Sequence, residues 1–360
     1  MRDDILFEQR GGLGLVTLNR AGALNALTLD MIRRLDERLQ QWEQEPGVDA
    51  VLVRGAGGRA FCAGGDIRAL YDARNDPGSR YGAVFYRDEY RLNRRIFRYP
   101  KPYIALMDGI TMGGGVGVSV HGSHRVTTER TLFAMPETGI GFFPDVGGGY
   151  FLPRRPGGLG LYLGLTGARL GAADCRYAGI GTHHVEAAAG DALVTALAEA
   201  DLSAGRAAVD AFLALRGAPT GDAALAAVRD AVDRCFAAGS VEAIVAALDG
   251  ENTEWATKQR KILDTKSPTS LKLAFRQLAE GARLSMEEVL VMEYRLSQYC
   301  MSHHDFHEGV RAVIIDKDNA PRWRPATLGE VTNAEVARAF ASLGTRDLRF
   351  DGPFPGDGER

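Results

Sequence analysis

The chain has 360 residues, 45% of them hydrophobic and 25% charged, which is the composition of a soluble globular protein with room for roughly two domains. Its 43 basic and 46 acidic side chains leave a net charge of −3, so the molecule as a whole has no attraction for nucleic acid or an anionic membrane, and neither is expected as a partner. No apolar run approaches the ~18 residues that span a bilayer. Cys62, Cys175, Cys235 and Cys300 stand far apart, without CxxC or Cys/His spacing. That pattern points to unpaired thiols in a reducing compartment and to no metal site. The N-terminal stretch has no apolar h-region and carries acids at once, so it reads as neither a secretory signal nor a transit peptide, and the expected location is cytoplasmic.

Residues 4 to 19 read as two short strands about the Gly11-Gly12 turn. A loop leads to a helix that Thr28 can cap, with Ile32, Leu35, Leu39 and Trp42 on one face and Pro46 as its stop. Ala50 to Gly55 and Pro102 to Met107 are short apolar runs suited to buried strands, and the alternation with helices gives an α/β pattern.

Between those runs lies RAFCAGGDI, residues 59 to 67, where Ala63, Gly64 and Gly65 are too small to fill a core and Asp66-Ile67 can open a helix. A second turn of this kind is GITMGGGVGVSVHG, residues 109 to 122, with Gly113, Gly114 and Gly115. Gly-Gly before a helix is commonly only a turn. Two such turns, however, can converge backbone N–H groups on one oxygen, which is an oxyanion hole. There is no G-x-G-x-x-G in either turn, no Walker A motif and no G-x-S-x-G elbow, so hydride transfer, ATP hydrolysis and serine-hydrolase chemistry lose support. His183-His184 and His303-His304 lack metal-site spacing and read as surface or capping residues.

The stretch FAMPETGIGFFPDVGGGY, residues 133 to 150, sets Glu137 and Asp145 into backbone interrupted by Gly139, Gly141 and Pro144. Acids near Gly and Pro are often solvated turn formers. A carboxylate pair on a tight, partly apolar turn also suits acid/base or nucleophilic work. Further on, residues 186 to 250 are Ala-rich and helical in tone, residues 267 to 301 form two strong helices, and Ser285 with Glu288 makes a capping box. A polar tail closes the chain.

Taken in order, LNRAGALNALTLDM, AFCAGGDI, GITMGGGVGVSVHG and MPETGIGFFPDVGGGYFL resemble the signature elements of the crotonase, or enoyl-CoA hydratase/isomerase, superfamily. The spacing PETxIGxFPDVGGG, with SPTSLK, MEYRLSQ and DFHEGVRAVIIDKD, is similar to its acyl-CoA hydrolase branch. The resemblance implies an α/β fold, a crotonase-like spiral of ββα units, with a catalytic core over 1–200, a C-terminal helical region over 201–345 that covers the site or mediates assembly, and a loose tail at 346–360. It implies hydrolysis of a short branched 3-hydroxyacyl-CoA, 3-hydroxyisobutyryl-CoA in valine breakdown, with hydratase or isomerase action on related thioesters as the alternative. Glu137 and Asp145 match the catalytic acids, Gly65 and Gly114 the oxyanion donors, and Glu89 a substrate-contacting acid that spacing alone would make a solvated helix residue. Leu24, Ala63 and Asp66 fall where coenzyme A passes. No cofactor is implied beyond the coenzyme A of the substrate, and a homo-oligomer is among the expectations. Hydratases carry their first glutamate three residues after the oxyanion glycine; here that position is Gly117, which favours thioester hydrolysis over hydration.

Overall fold

A computed structural model describes residues 3–76 and 78–351. The chain divides into two compact units, each drawn from three stretches: one from 1–66, 92–134 and 169–227, the other from 67–91, 135–168 and 228–360. The described part of the last stretch ends at Asp351, so most of the tail expected at 346–360 lies outside the described residues.

The nine strands found among the described residues all lie in the first unit. β1 (Ile5–Arg10) and β2 (Leu13–Leu18) pair antiparallel across the Gly11 turn, where φ is +56°. From there the chain advances in pairs of strands. β3 (Ala50–Gly55), β5 (Tyr103–Met107), β7 (His124–Thr127) and β9 (His183–His184) join a six-stranded sheet of order β1-β2-β3-β5-β7-β9, parallel from β2 onward. β4 (Ala60–Cys62), β6 (Ile110–Met112) and β8 (Leu132–Ala134) form a separate, wholly parallel sheet of order β4-β6-β8. Each repeat thus sends its first strand to the large sheet and its second to the small one, which is the ββα spiral expected. β2, β3 and β5 are buried almost throughout, as parallel strands covered on both faces must be. Leu13, Leu15, Leu52, Ile104 and Val126 pack with Leu193, Leu197, Val209 and Leu213 in one core.

The helix Leu29–Gln44 begins where the sequence placed it: Thr28 Oγ1 accepts the Met31 N–H at 3.2 Å, and Met31, Ile32, Leu35, Leu39 and Trp42 are buried. The His183-His184 pair departs from expectation, since it forms β9, and His184 is buried with Thr127 Oγ1 3.1 Å from its Nδ1.

Within its described residues the second unit is built of helices and turns. Pro268–Gly281 is capped by Ser267, and Met286–Ser302 by the predicted Ser285/Glu288 capping box. Arg311–Ile315 continues the helix His304–Val310 as a π-helical turn. The C-terminal region is therefore helical, as expected. Its last described residues are tied down: Arg295 pairs with Asp347 at 2.7 Å, and Arg91 Nε donates to the Arg349 carbonyl at 2.9 Å.

Candidate active site

In the first unit the two glycine turns leave neighbouring parallel strands at the same end, β4 into Ala63-Gly64-Gly65 and β6 into Gly113-Gly114. Gly64 and Gly113 have φ of +132° and +49°, conformations that favour glycine. The first turn is stitched to the preceding loop: Ala63 N–H donates to the Leu24 carbonyl at 3.0 Å, Leu27 N–H to Gly64 at 2.9 Å, and Asp66 N–H to Leu27 at 2.8 Å. Because backbone groups alternate along an extended segment, the Gly65 N–H faces the edge opposite this bridge. Gly114 opens the short helix Gly114–Gly117, so its N–H precedes the first intrahelical bond. A Cβ on Gly115 would overlap the Cys62 carbonyl, so glycine there lets this helix sit directly on β4.

Leu24, Ala63 and Asp66 are thus brought together. Leu24 is held at φ +51° and Asn25 at φ +57°. The strain is offset by the buried Asn25 amide, whose Nδ2 donates to the carbonyls of Ala56 at 2.9 Å and Ala60 at 2.8 Å. The Asp66 carboxylate pairs with Arg20 at 3.1 Å and so closes the turn. Gly117 is buried within its helix, and no carboxyl occupies that position.

The acids lie in the second unit. Glu137 starts a 3-10 turn, Glu137–Ile140, that ends at Gly141 with φ +72°. Phe142 N–H returns to the Glu137 carbonyl at 3.0 Å, Thr138 Oγ1 donates to Leu165 at 3.0 Å, and Ser267 N–H to the Thr138 carbonyl at 3.1 Å. Ser267 Oγ donates in turn to Asp305 Oδ2 at 2.6 Å. A Cβ on Gly141 would overlap the Asp305 carbonyl, and one on Gly309 would overlap Ile140. The SPTSLK and DFHEG segments therefore fix the turn that carries Glu137. Glu137 is only 5% exposed, and its Oε2 has no hydrogen-bond partner among the described residues.

Asp145 is equally buried, and Tyr90 donates its hydroxyl to Oδ2 at 3.1 Å. Glu89, beside Tyr90 on the helix Tyr81–Arg98, is 2% exposed, and its Oε1 has no partner among the described residues, so it is no solvated residue. The run RDEYR looks charged, yet Glu89 shares a helical face with Tyr86 and Tyr90, and that i, i+3, i+4 stripe turns inward. The Tyr86 hydroxyl is also buried and has no partner among the described residues, and its ring stacks on Phe142 at 5.3 Å between centroids.

Burial dominates the electrostatics. It drives the Glu137 carboxyl well above the usual range, with the Asp145 charge adding to the shift and Lys266 opposing it. Asp145 is raised by burial against the pull of the Tyr90 hydrogen bond. Glu89 is raised by burial and by Asp145. Like charges this close disfavour each other's ionised form, so the cluster retains protons at pH values where isolated carboxyls have lost them.

Sequence reasoning missed Glu293 and Gln277. Glu293 is fully buried on Met286–Ser302, and burial pushes its carboxyl up to about 8 although backbone N–H groups stabilise its charge. A signal was present: Glu293 follows Val289 by one helical turn, on the apolar face of that helix.

The family model for enoyl-CoA hydratase/isomerase matches residues 13–340, and the chain belongs to that family. Among curated relatives it is 51% identical over 351 residues to "3-hydroxyisobutyryl-CoA hydrolase, mitochondrial" of Danio rerio, covering 96% of this chain and 92% of that protein. It is 49% identical over 357 residues to the human protein of the same description, covering 97% and 91%. Among solved structures, a carnitinyl-CoA dehydratase from Mycobacterium thermoresistibile superposes with a TM-score of 0.91 at 43% identity, covering 98% of this chain and 100% of that one. An enoyl-CoA hydratase from Rhodobacter sphaeroides 2.4.1 gives 0.89 at 40%, covering 97% and 100%.

These relatives overturn the cytoplasmic expectation, because the curated proteins are mitochondrial enzymes. Buried free thiols and a near-neutral charge suit any reducing compartment, so they never separated cytosol from the mitochondrial interior.

Proposed function

We propose that this chain hydrolyses the thioester of a short branched 3-hydroxyacyl-CoA, 3-hydroxyisobutyryl-CoA, to 3-hydroxyisobutyrate and free coenzyme A. The observation that carries the reading is Glu137, a carboxyl 5% exposed with one oxygen that has no hydrogen-bond partner among the described residues, on a turn held by the Phe142 and Ser267 N–H groups and the Leu165 carbonyl. Buried polar atoms are ordinarily paired, so an orphan of this kind is available to a reactant. Its raised pKa makes it, when ionised, a stronger base than an ordinary carboxylate.

In this reading the N–H groups of Gly65 and Gly114 polarise the thioester carbonyl, each donor contributing roughly 2.7–4 kcal/mol of transition-state stabilisation. Glu137 either attacks the carbonyl carbon, forming a mixed anhydride that water opens, or deprotonates a water that attacks. By both routes one water is consumed and the carbon–sulfur bond breaks. The sulfur leaves with the bonding pair and gains a proton as the coenzyme A thiol. Asp145 orients the 3-hydroxyl or moves the proton, and Glu89 contacts the substrate. The Leu24 loop and the Ala63 to Asp66 turn line the coenzyme. The scheme needs no metal or further cofactor, and a homo-oligomer, checked by light scattering, belongs to the same reading.

Two similar solved structures are described as a dehydratase and a hydratase, which keeps hydration as the second reading. Gly117 argues against it, since syn-hydration in this family draws on a glutamate there. A thiol-release assay over acyl-CoA esters with and without a 3-hydroxyl decides between the two. Release should be fastest from 3-hydroxyisobutyryl-CoA. Loss of the crotonyl-CoA absorbance without thiol release from any ester would sink the assignment.

A further inference from the structure

The turn that carries Asp145 is gripped by two side chains from other helices. Glu293 accepts the Gly147 N–H on Oε2 at 2.7 Å and the Gly149 N–H on Oε1 at 2.8 Å. Gln277, on Pro268–Gly281, donates Nε2 to the same Oε1 at 2.9 Å and to the Pro144 carbonyl at 2.7 Å. The residue before Asp145 and the second and fourth residues after it are therefore all tied to one carboxylate–amide pair. Both side chains are fully buried.

The backbone between those ties does not rest there unaided. Val146 sits at φ +50°, a left-handed conformation that a β-branched residue rarely adopts, and Gly147 follows at +85°. Relaxing Val146 would rotate the peptide that joins it to Asp145 and swing the Asp145 carboxyl away from the Tyr90 hydroxyl. A strained residue persists only where its surroundings over-determine it. Three N–H donors converge on Glu293, and a carboxylate, with its several lone pairs, can accept all of them where an amide cannot.

We propose that Glu293 and Gln277 are positioning residues for the reaction, a clamp that holds Asp145 through the backbone of its own turn. The proposal rests on the role assigned to Asp145 above. Because the clamp acts through Asp145, losing it costs turnover only while Asp145 is there to be misplaced.

The test is a double-mutant cycle read by steady-state thiol release from 3-hydroxyisobutyryl-CoA, with D145N, E293Q, Q277M and the two pairs D145N/E293Q and D145N/Q277M. E293Q should lower kcat at least tenfold with KM within about twofold, Q277M somewhat less, and neither pair should be slower than D145N alone. A purely structural role would instead multiply with D145N. If E293Q does not fold, Q277M decides by the same cycle, since it keeps the side chain's length and removes only the amide. Near-parental turnover by D145N overturns the role of Asp145 and the clamp with it. An impaired D145N beside clamp variants that turn over normally, or whose losses multiply with its own, overturns the clamp alone.

Discussion

Glu137 combines two properties that a solvated turn residue lacks, near-complete burial and an unpaired oxygen. Replacing it with Gln keeps the shape and removes both the basic oxygen and the charge. E137Q should therefore lose roughly 10³-fold or more in kcat with the fold intact, as far-UV circular dichroism and thiol release will show. Coenzyme A release within tenfold of the parent would remove Glu137 from the chemistry. At this scale the sequence was legible where residue type and local chain punctuation coincide. Glu137 and Asp145 stood out because Gly and Pro forbid regular structure around them. Glu89 and Glu293 did not, because a carboxylate inside a helix looks the same whether it faces water or core, and only its phase against Tyr86 and Tyr90, or against Val289, tells which.

Among the elements, the long ones announced themselves. Thr28 and Ser285 cap helices whose apolar faces repeat over several turns, and both caps form. S285A should cost about 1 kcal/mol of stability in denaturant unfolding and leave kcat unchanged. The strands β4, β6 and β8 have three residues each, too few for any periodicity, so the small sheet was read only as turns. That sheet is nonetheless what sets the Gly65 and Gly114 turns side by side. In G115A the new Cβ meets the Cys62 backbone, which cannot yield as a side chain tip would, and the helix start carrying Gly114 must shift. A donor displaced by ~1 Å costs about 10²-fold, so G115A should lower kcat by that order while KM changes little. Parental kcat in a folded G115A would detach this helix from catalysis.

For the whole molecule, the buried acids set how stability depends on pH. Glu89, Glu137, Asp145 and Glu293 all have native pKa values raised by burial, Glu293 to about 8. Each holds its proton more tightly folded than unfolded, so its contribution is fully present below the unfolded value, 4.5 for the glutamates and 3.8 for Asp145, and is lost as pH rises through the native value. Other groups act lower on the scale. Burial lowers His124, His183, His184 and His307, so their contribution is lost as pH falls below 6.5. Arg311 holds Glu308 down to about 2, a contribution present above the unfolded value and lost toward that pH. Between about 6.5 and 8 the raised carboxyls therefore act nearly alone, and the melting temperature should fall as pH rises across that window. The fall should be shallower in E137Q and D145N, which no longer carry one of the charges, and both variants should melt above the parent at pH 8. A parental melting temperature that is flat or rising from pH 6.5 to 8 would show that these carboxyls ionise in the folded protein as freely as in the unfolded chain. In that case the acid cluster is solvated, and Glu137 has no elevated basicity to bring to a thioester.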